Sequence, residues 1–312
     1  MMNAGAVIVL YNPDRTKLCR NINAVLPMVQ SVVLVDNGSD DIQWIRELYA
    51  EDISADRLAI IENGANLGIA AALNTGMEYL SARADWVITL DQDSELYSDV
   101  ISSNEPLIHA IDHHQDVTES GFQADLNQVG KIGIITPVII DRNREDQLQM
   151  LEKRKEEPET QKMPRYVSLN RCITSGALTS VEAWRTVGKF DEEMFIDLVD
   201  FEFSCRLIDH GYSILRNEDT FILHEVGNIS MRGWKKKHVV YNHNAMRKYY
   251  FARNYLYMSR KNESLHMRAA FYRIAEQMFN VIFYENNKSS KLKALTKGLI
   301  DGLTMPVKEN KR

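Results

Sequence analysis

Four short apolar runs recur at intervals of roughly 25–30 residues through the first 93 positions, and this recurrence constrains the fold more than any other feature. The runs at 6–11, 32–35, 58–61 and 86–90 are continuous rather than alternating, as expected of strands covered on both faces. Between them, Leu18, Ile22, Val25 and Leu26, then Ile42, Ile45, Leu48 and Tyr49, then the Ala-rich stretch from Ile69 to Leu80 fall at helical spacing. Strands alternating with helices predict a parallel sheet joined by right-handed crossovers. In such a sheet the ligand crevice lies outside the carboxyl ends of the strands.

Each unit ends in a polar cluster: Tyr11-Asn12-Pro13, Asp36-Asn37-Gly38-Ser39, Asn66-Leu67-Gly68 and Asp91-Gln92-Asp93-Ser94. Any one of them alone is an ordinary turn. Four on one sheet edge predict a polar pocket. Two carboxylates one residue apart at a strand end suit a hard divalent cation that carries substrate phosphates in its remaining positions. The pocket is therefore expected to take a nucleoside diphosphate. No P-loop motif is present, and no Gly-x-Gly-x-x-Gly follows the first run, so the phosphates would be held by metal and side chains.

Further along, 100–111 reads as a helix, 113–130 as a loop and 132–140 as a strand with Pro137 at a break. The strongly charged segment 141–165 reads as a mobile insertion. A strand over 167–173 leads to Thr174-Ser175-Gly176, followed by helices over 181–187 and 201–207, the latter with Asp200 near its start. Short strands at 213–215 and 220–223 precede His224, and from 237 onward the pattern turns to long helices.

Charge is divided unevenly. Residues 231–312 hold 18 Lys and Arg against 5 Asp and Glu, a net +13, whereas the preceding 230 hold 19 against 38, a net −19. A basic tail points to an anionic partner. Nucleic acid fits poorly because the main body is acidic and carries no recognition motif. Apolar residues interleaved with Arg, as in Arg268-Ala269-Ala270-Phe271-Tyr272-Arg273, suit an interfacial helix resting on anionic lipid. Solvated helix faces packed on the main body are the plain alternative. The three cysteines, Cys19, Cys172 and Cys205, indicate neither a disulfide framework nor a cysteine metal site. With no signal-peptide pattern at the start and no run near the ~20 apolar residues of a spanning helix, the expected location is cytoplasmic, with peripheral contact to the inner membrane face.

Taken in order, a larger set of residues resembles an inverting glycosyltransferase of family 2, with the GT-A fold, and within that family the bacterial rhamnosyltransferases. The resemblance is carried by Val9-Leu10-Tyr11-Asn12-Pro13, Val35-Asp36-Asn37-Gly38-Ser39, Asn66-Leu67-Gly68 with Ala70 and Asn74, and Asp91-Gln92-Asp93-Ser94. It continues through Thr174-Ser175-Gly176, the run Phe195-Ile196-Asp197-Leu198-Val199-Asp200-Phe201-Glu202, His224 with Gly227, and Tyr249-Tyr250-Phe251-Ala252-Arg253-Asn254. It implies an α/β GT-A catalytic domain over 1–231, with a nucleotide-binding half to 93 and an acceptor half from 94. A helical basic extension over 232–312 would contact a membrane surface or a second copy in a homo-oligomer.

The resemblance also implies roles. Tyr11, Asn12, Asp36, Asn66, Gly68, Asn74, Asp91 and Gln92 would bind the nucleotide sugar, with Asp36 at the base and Asp91 at the ribose and diphosphate. Asp93 and His224 would hold Mg2+ or Mn2+. Ser175, Gly176, Asp197, Glu202 and Arg253 would contact acceptor or sugar. Asp200 matches the family's general base, although relatives often carry Glu-Asp where this chain has Val199-Asp200, which leaves the neighbour's role open. An ordinary Asp has a pKa of about 3.9, so Asp200 is expected to be ionised at neutral pH. The implied activity is metal-dependent transfer of L-rhamnose from dTDP-L-rhamnose to a glycan or lipid-linked acceptor in cell-surface polysaccharide synthesis. A sugar-phosphate nucleotidyltransferase would be expected to show a Gly-rich basic loop where Tyr11-Asn12-Pro13-Asp14-Arg15 stands, and a non-catalytic nucleotide-sugar scaffold would not need Asp93, Asp200 and His224 together.

Overall fold

The computed structural model describes residues 2–112, 130–156, 165–225, 230–232, 238–240, 242–262 and 265–307. The expected loop at 113–129, part of the insertion at 157–164, and Gly227 lie outside the described residues.

The expected strand–helix alternation is present. It runs β1 (Ala4–Leu10), α1 (Arg15–Val25), β2 (Ser31–Asp36), α2 (Gln43–Leu48), α3 (Ala50–Ser54), β3 (Leu58–Glu62), α4 (Ile69–Leu80) and β4 (Trp86–Asp91). These four strands pair in parallel in the order β3-β2-β1-β4. Their apolar runs are continuous because alternate residues enter two different cores. Ala6, Ile8, Leu10, Val32, Leu34, Ile88 and Leu90 pack in one core with Leu18 and Ile22 of α1. Val7, Val9, Val33, Val35 and Val87 pack in the other with Leu73 and Met77 of α4. A Cβ on Gly76 would fall 2.5 Å from Val7 Cγ1, so glycine there lets α4 lie close on the sheet. Asp14 starts α1 by accepting the Lys17 N–H at 2.9 Å, the usual remedy for an open helix N-terminus.

The second half is β5 (Glu95–Leu96), α5 (Glu105–Asp112), β6 (Ile132–Asp141), α6 (Glu145–Glu156), β7 (Tyr166–Leu169), β8 (Ala177–Ser180), α7 (Val181–Thr186), α8 (Val199–Asp209) and β9 (Ser213–His224). It extends the same sheet from β4 in the order β8-β6-β9-β5, with β7 also on β9. Here direction is mixed. β8 runs antiparallel to β4 and β6, while β6 and β9 are parallel. Several boundaries differ from the pattern-based reading. The charged stretch after Asp141 contains the helix α6, and the two short strands before His224 are one strand, β9, with an irregularity where Asn217 and Phe221 face Pro137 and Val138. Asn217 donates to Asn104 Oδ1 at 2.9 Å, so polar residues at the irregularity are paired internally instead of ending the strand.

A small hairpin, β10 (Ser230–Arg232) and β11 (His238–Val240), leads to α9 (Ala245–Lys261), α10 (Met267–Tyr284) and α11 (Lys288–Thr304). α11 lies tightly along α9, where Gly298 and Gly302 face the carbonyls of Tyr249 and Arg253 with no room for a side chain. Ala252, Leu256, Ala270, Ile274, Val281 and Leu295 form a separate small core. Tyr257 of α9, by contrast, is buried in the core of the main sheet. The extension is therefore joined to the body of the sheet through α9. No helix among the described residues is long and apolar enough to cross a membrane.

Candidate active site

The acidic pair sits at the carboxyl end of β4, held from three sides. Gln92 accepts the Tyr11 N–H at 2.8 Å and donates to the Tyr11 carbonyl at 3.3 Å, which ties the ends of β1 and β4 together. Asn21 of α1 donates to the Asp91 carbonyl at 2.7 Å. The Asp91 N–H donates to Ser175 Oγ at 3.1 Å. His224, the last residue of β9, arrives beside them. One ligand atom each from Asp91, Asp93 and His224 lies within 4.8 Å of the others.

The imidazole is oriented by hydroxyls. Ser94 Oγ is 2.9 Å from His224 Nδ1 and 2.7 Å from Ser175 Oγ. That contact leaves Nε2 toward Asp91, 3.8 Å from Oδ2. Two carboxylates and one imidazole on converging backbones, with a hydrogen-bonded group behind the ring, fit a small divalent cation such as Mg2+ or Mn2+. Enclosure in the cleft raises the Asp91 carboxyl above the ordinary range, an effect that His224 opposes and Asp93 reinforces. Its oxygens still reach solvent, with 41% of the side chain exposed.

The cluster opens into a cleft of about 570 Å³. Tyr11, Asn37, Asn66 and Gly68 form one side and Phe195, Ile196, His243, Met246 and Arg247 the other. Burial, helped by Arg247, pushes the His243 imidazole down to about 4, so it is neutral at neutral pH. Gly68 has φ +87°, and a Cβ there would fall 2.6 Å from Phe195 Cδ2, so only glycine lets the two walls meet.

The expected nucleotide residues separate into lining and framework. Tyr11, Asn66, Gly68, Asp91 and Gln92 line the cleft. Asp36 does not; it is 4% exposed, and its carboxylate accepts the N–H groups of Gly38 and Ser39 at 3.1 Å. Asn12 also lies outside the lining, with φ +46°, taking Ser39 Oγ on its N–H and the Asp40 N–H on Oδ1, each at 2.8 Å. Asn74, a residue of α4, is buried. It donates to the Phe190 carbonyl at 2.9 Å and Glu192 Oε1 at 2.8 Å and accepts from Trp184 Nε1 at 3.2 Å and the Phe190 N–H at 2.9 Å. With its hydrogen-bonding capacity used internally, Asn74 has nothing left for a nucleotide.

The acceptor-side acids are equally distinct. Glu202 is 2% exposed, bound by Arg206 at 2.7 and 2.6 Å and by Lys261 at 2.7 Å, and so is structural. Asp197 is bound by Arg247 at 2.7 Å. Asp200 has no cation partner among the described residues and accepts the Phe201 N–H at 2.9 Å. It lines a separate small hollow with Thr89, Cys172, Thr174, Phe190 and Phe203. Burial pushes its carboxyl up to about 7, a shift the Phe201 N–H opposes and like charge on Asp197 and Asp91 adds to. The expectation of an ordinary, fully ionised Asp is corrected accordingly. Arg253 stacks over Tyr250 at 4.6 Å and donates to Asn254 Oδ1 and the Glu193 carbonyl, facing the loop and not the cleft. Ser175 supports the Asp91, Asp93 and His224 cluster, and Gly176, at φ +85°, donates its N–H to the Thr89 carbonyl at 2.7 Å.

Sequence reasoning passed over Ser94, Asn37, Phe195, His243, Met246 and Arg247 as separate contributors. One local signal for the last three exists. Asn244 caps α9 by accepting the Arg247 N–H at 2.9 Å, and a cap Asn before a helical pattern marks where that helix begins.

With this geometry in place, comparison with known proteins is informative. Residues 6–128 match the family described as glycosyl transferase family 2. That stretch carries the sequence pattern of a family 2 glycosyltransferase domain. Across its length the chain is 27% identical to the dTDP-rhamnosyl transferase RfbF of Shigella flexneri, covering 96% of this chain and 95% of that protein. Among solved structures it resembles GalNAc-T7 with UDP, GalNAc and Mn2+, with TM-score 0.54 and 16% identity over 83% of this chain and 48% of that one. It also resembles S. aureus TarS, with TM-score 0.53 and 13% identity over 97% and 44% of the two chains. TarS 1–349 in complex with UDP gives 0.51 and 12% identity over 96% and 71%. The chain thus spans about half the length of the first two solved structures. The glycosyltransferase domain and its neighbours share the GT-A fold, here with a helical C-terminal region.

Proposed function

We propose that this chain transfers L-rhamnose from dTDP-L-rhamnose to a glycan or lipid-linked acceptor, inverting the anomeric centre. The observation that carries the chemistry is the placement of Asp91, Asp93 and His224 together in the lining of a cleft large enough for a nucleotide sugar, with Asp200 near enough to feel the charge of Asp91 and without a cation partner among the described residues. Similarity to a named dTDP-rhamnosyl transferase along nearly the whole chain supports the donor.

Asp91, Asp93 and His224 would hold Mg2+ or Mn2+, which supplies positive charge to the departing diphosphate. Asn66 and Tyr11 would line the nucleotide, and neutral His243 can donate or accept a hydrogen bond without adding charge. The acceptor hydroxyl oxygen attacks the anomeric carbon from the face opposite the diphosphate. The new C–O bond forms as the bond to the diphosphate breaks and its electron pair leaves with the diphosphate. The hydroxyl proton passes to Asp200. Of the three acids in the segment, Asp197 and Glu202 are neutralised by cations, whereas Asp200 has no cation partner among the described residues. A base with a pKa near the working pH combines adequate ionisation with useful basicity.

The acceptor is expected at an anionic membrane surface, on its cytoplasmic side. Phe271, Tyr272, Phe279, Ile282 and Phe283 of α10 are exposed, and at 100° per residue they fall on one face of the helix. The net charges of +13 and −19 would orient the extension toward anionic lipid.

The donor is tested by thermal shift with Mn2+ and nucleoside diphosphates. Stabilisation by dTDP, at about 100 times its dissociation constant, is expected to be about 2.7 kcal/mol. Equal stabilisation by UDP and GDP would remove the donor assignment. Single-turnover hydrolysis of dTDP-rhamnose separates a transferase from a non-catalytic scaffold.

A further inference from the structure

The loop leading into α8 has a backbone that its residues do not favour. Phe195, Asp197 and Leu198 have φ of +59°, +66° and +64°. Asp tolerates this region, but Phe and Leu rarely adopt it, and a cluster of such residues persists only where the surroundings impose it. The loop matters at both ends. The Phe195 carbonyl accepts the Ile69 N–H at 2.6 Å and its ring abuts Gly68 at the donor cleft. At the other end, Leu198 precedes the first turn of α8, which carries Asp200, and has no side-chain cap.

The C-terminal extension grips this loop. Asn254 of α9 is fully buried. Its Nδ2 lies 2.8 Å from each of the carbonyls of Met194, Ile196 and Asp197. Its Oδ1 accepts from Arg253 Nε at 2.9 Å and Nη2 at 2.8 Å. A guanidinium only donates, so the amide can be placed one way round, with its nitrogen toward the loop. One side chain thus gathers three carbonyls from four consecutive residues. The local hydrogen bond from the Ile196 N–H, at 2.6 Å, reaches only the Met194 carbonyl, and Asn254 adds the other two.

We propose that Asn254 is a positioning residue, which holds the 195–198 loop in its left-handed form and thereby sets where Asp200 stands relative to the donor cleft. The extension is then a working part of the catalytic centre and not only a docking appendage. The inference rests on the reading of Asp200 as the base.

The test uses the full-length protein with Asn254→Ala and Asn254→Asp, the second removing both amide hydrogens at nearly constant shape. Each variant is expected to lose about 100-fold in kcat, the scale of a misplaced catalytic group, with the dTDP dissociation constant within about fivefold. The pH profile distinguishes positioning from loss of stability. In the variants the acid limb of kcat moves down from about 7 toward the ordinary carboxylate range as the loop opens to water. If Asn254→Asp does not fold, Asn254→Ala decides, because alanine keeps α9 helical. Wild-type kcat and an unmoved pH profile in Asn254→Ala would overturn the clamp, provided Asp200→Asn is inactive. Full turnover in Asp200→Asn would overturn the base assignment and the inference with it.

Discussion

Arg247 Nη2 donates to Asp197 Oδ1 at 2.7 Å, joining the first turn of α9 to the loop before α8. Both sides face working parts. Arg247 lines the cleft proposed for the donor, and Asp197 lies three residues before Asp200. The guanidinium is 40% exposed, so the ion pair itself contributes little to stability. Its value is a fixed positive charge at the cleft wall. Arg247→Ala is therefore expected to raise the donor KM about tenfold, about 1.4 kcal/mol, while the melting temperature stays within about 2 °C. Steady-state kinetics beside a thermal melt checks this, and an unchanged KM would place the cation outside the donor's reach.

Asp200, as the proposed base, would link activity and stability through one proton. Its folded pKa of about 7 stands above the unfolded value near 3.8. The native state therefore holds this proton more tightly, and the contribution to stability is complete below about pH 4 and lost as pH rises through 7. Asp200→Asn removes the buried charge. It is expected to abolish transfer and to raise the melting temperature at pH 8 by about 2–5 °C, with little gain at pH 5. In the wild type kcat should fall tenfold per unit below about pH 7. A flat profile between pH 5 and 8 would exclude this base.

Asp93 and Asp91 can be separated by metal readout. Asp93→Ala leaves Asp91 and His224, too few donors for a hard cation that favours carboxylate oxygen. Stabilisation by Mn2+ in the presence of dTDP should disappear, and turnover should fall at least about 100-fold. Removal of metal by chelation should reproduce the loss in the wild type and reverse on adding Mn2+ back. Retained Mn2+ stabilisation in Asp93→Ala would move the cation elsewhere.

Asn74 is predicted to behave as structure. Truncation to Ala strands the Trp184 indole N–H and the Phe190 backbone groups in a buried site, costing about 2–4 kcal/mol. Denaturant unfolding should show that loss with donor KM unchanged within about twofold. A selective rise in KM would restore a nucleotide role.

Membrane docking is better tested by point substitution than by truncation. Lys248 and Lys291 are nearly buried around Glu285, each within 2.8 Å of it, so removing α10 and α11 would leave Lys248 buried without its carboxylate. Phe279→Ser with Phe283→Ser leaves that triad intact. The pair should abolish sedimentation with anionic liposomes at low salt while leaving transfer to a soluble acceptor unchanged. Equal binding to neutral liposomes, or none in the wild type, would end the docking proposal.

The sequence by itself determined the parallel half of the sheet and the alignment of its polar ends. A continuous apolar run reports burial on both faces, and a turn cluster closes it within a few residues, so both are local properties. Asp91, Gln92, Asn66 and Gly68 could be placed for that reason. The tertiary structure alone decided the rest. Ser94 and His224 meet across 130 residues through the crossovers of a mixed sheet. Glu202 and Asp200, two residues apart on one helix, part company because Arg206 and Lys261 reach one and not the other. Asn66 lines the cleft while Asn74, within the helix α4 that follows it, is consumed by Phe190 and Trp184. The basic tail likewise gave no sign that several of its cations are internal, or that Asn254 grips the loop before Asp200. Partner choice and desolvation belong to packing between distant segments, and no local pattern records them.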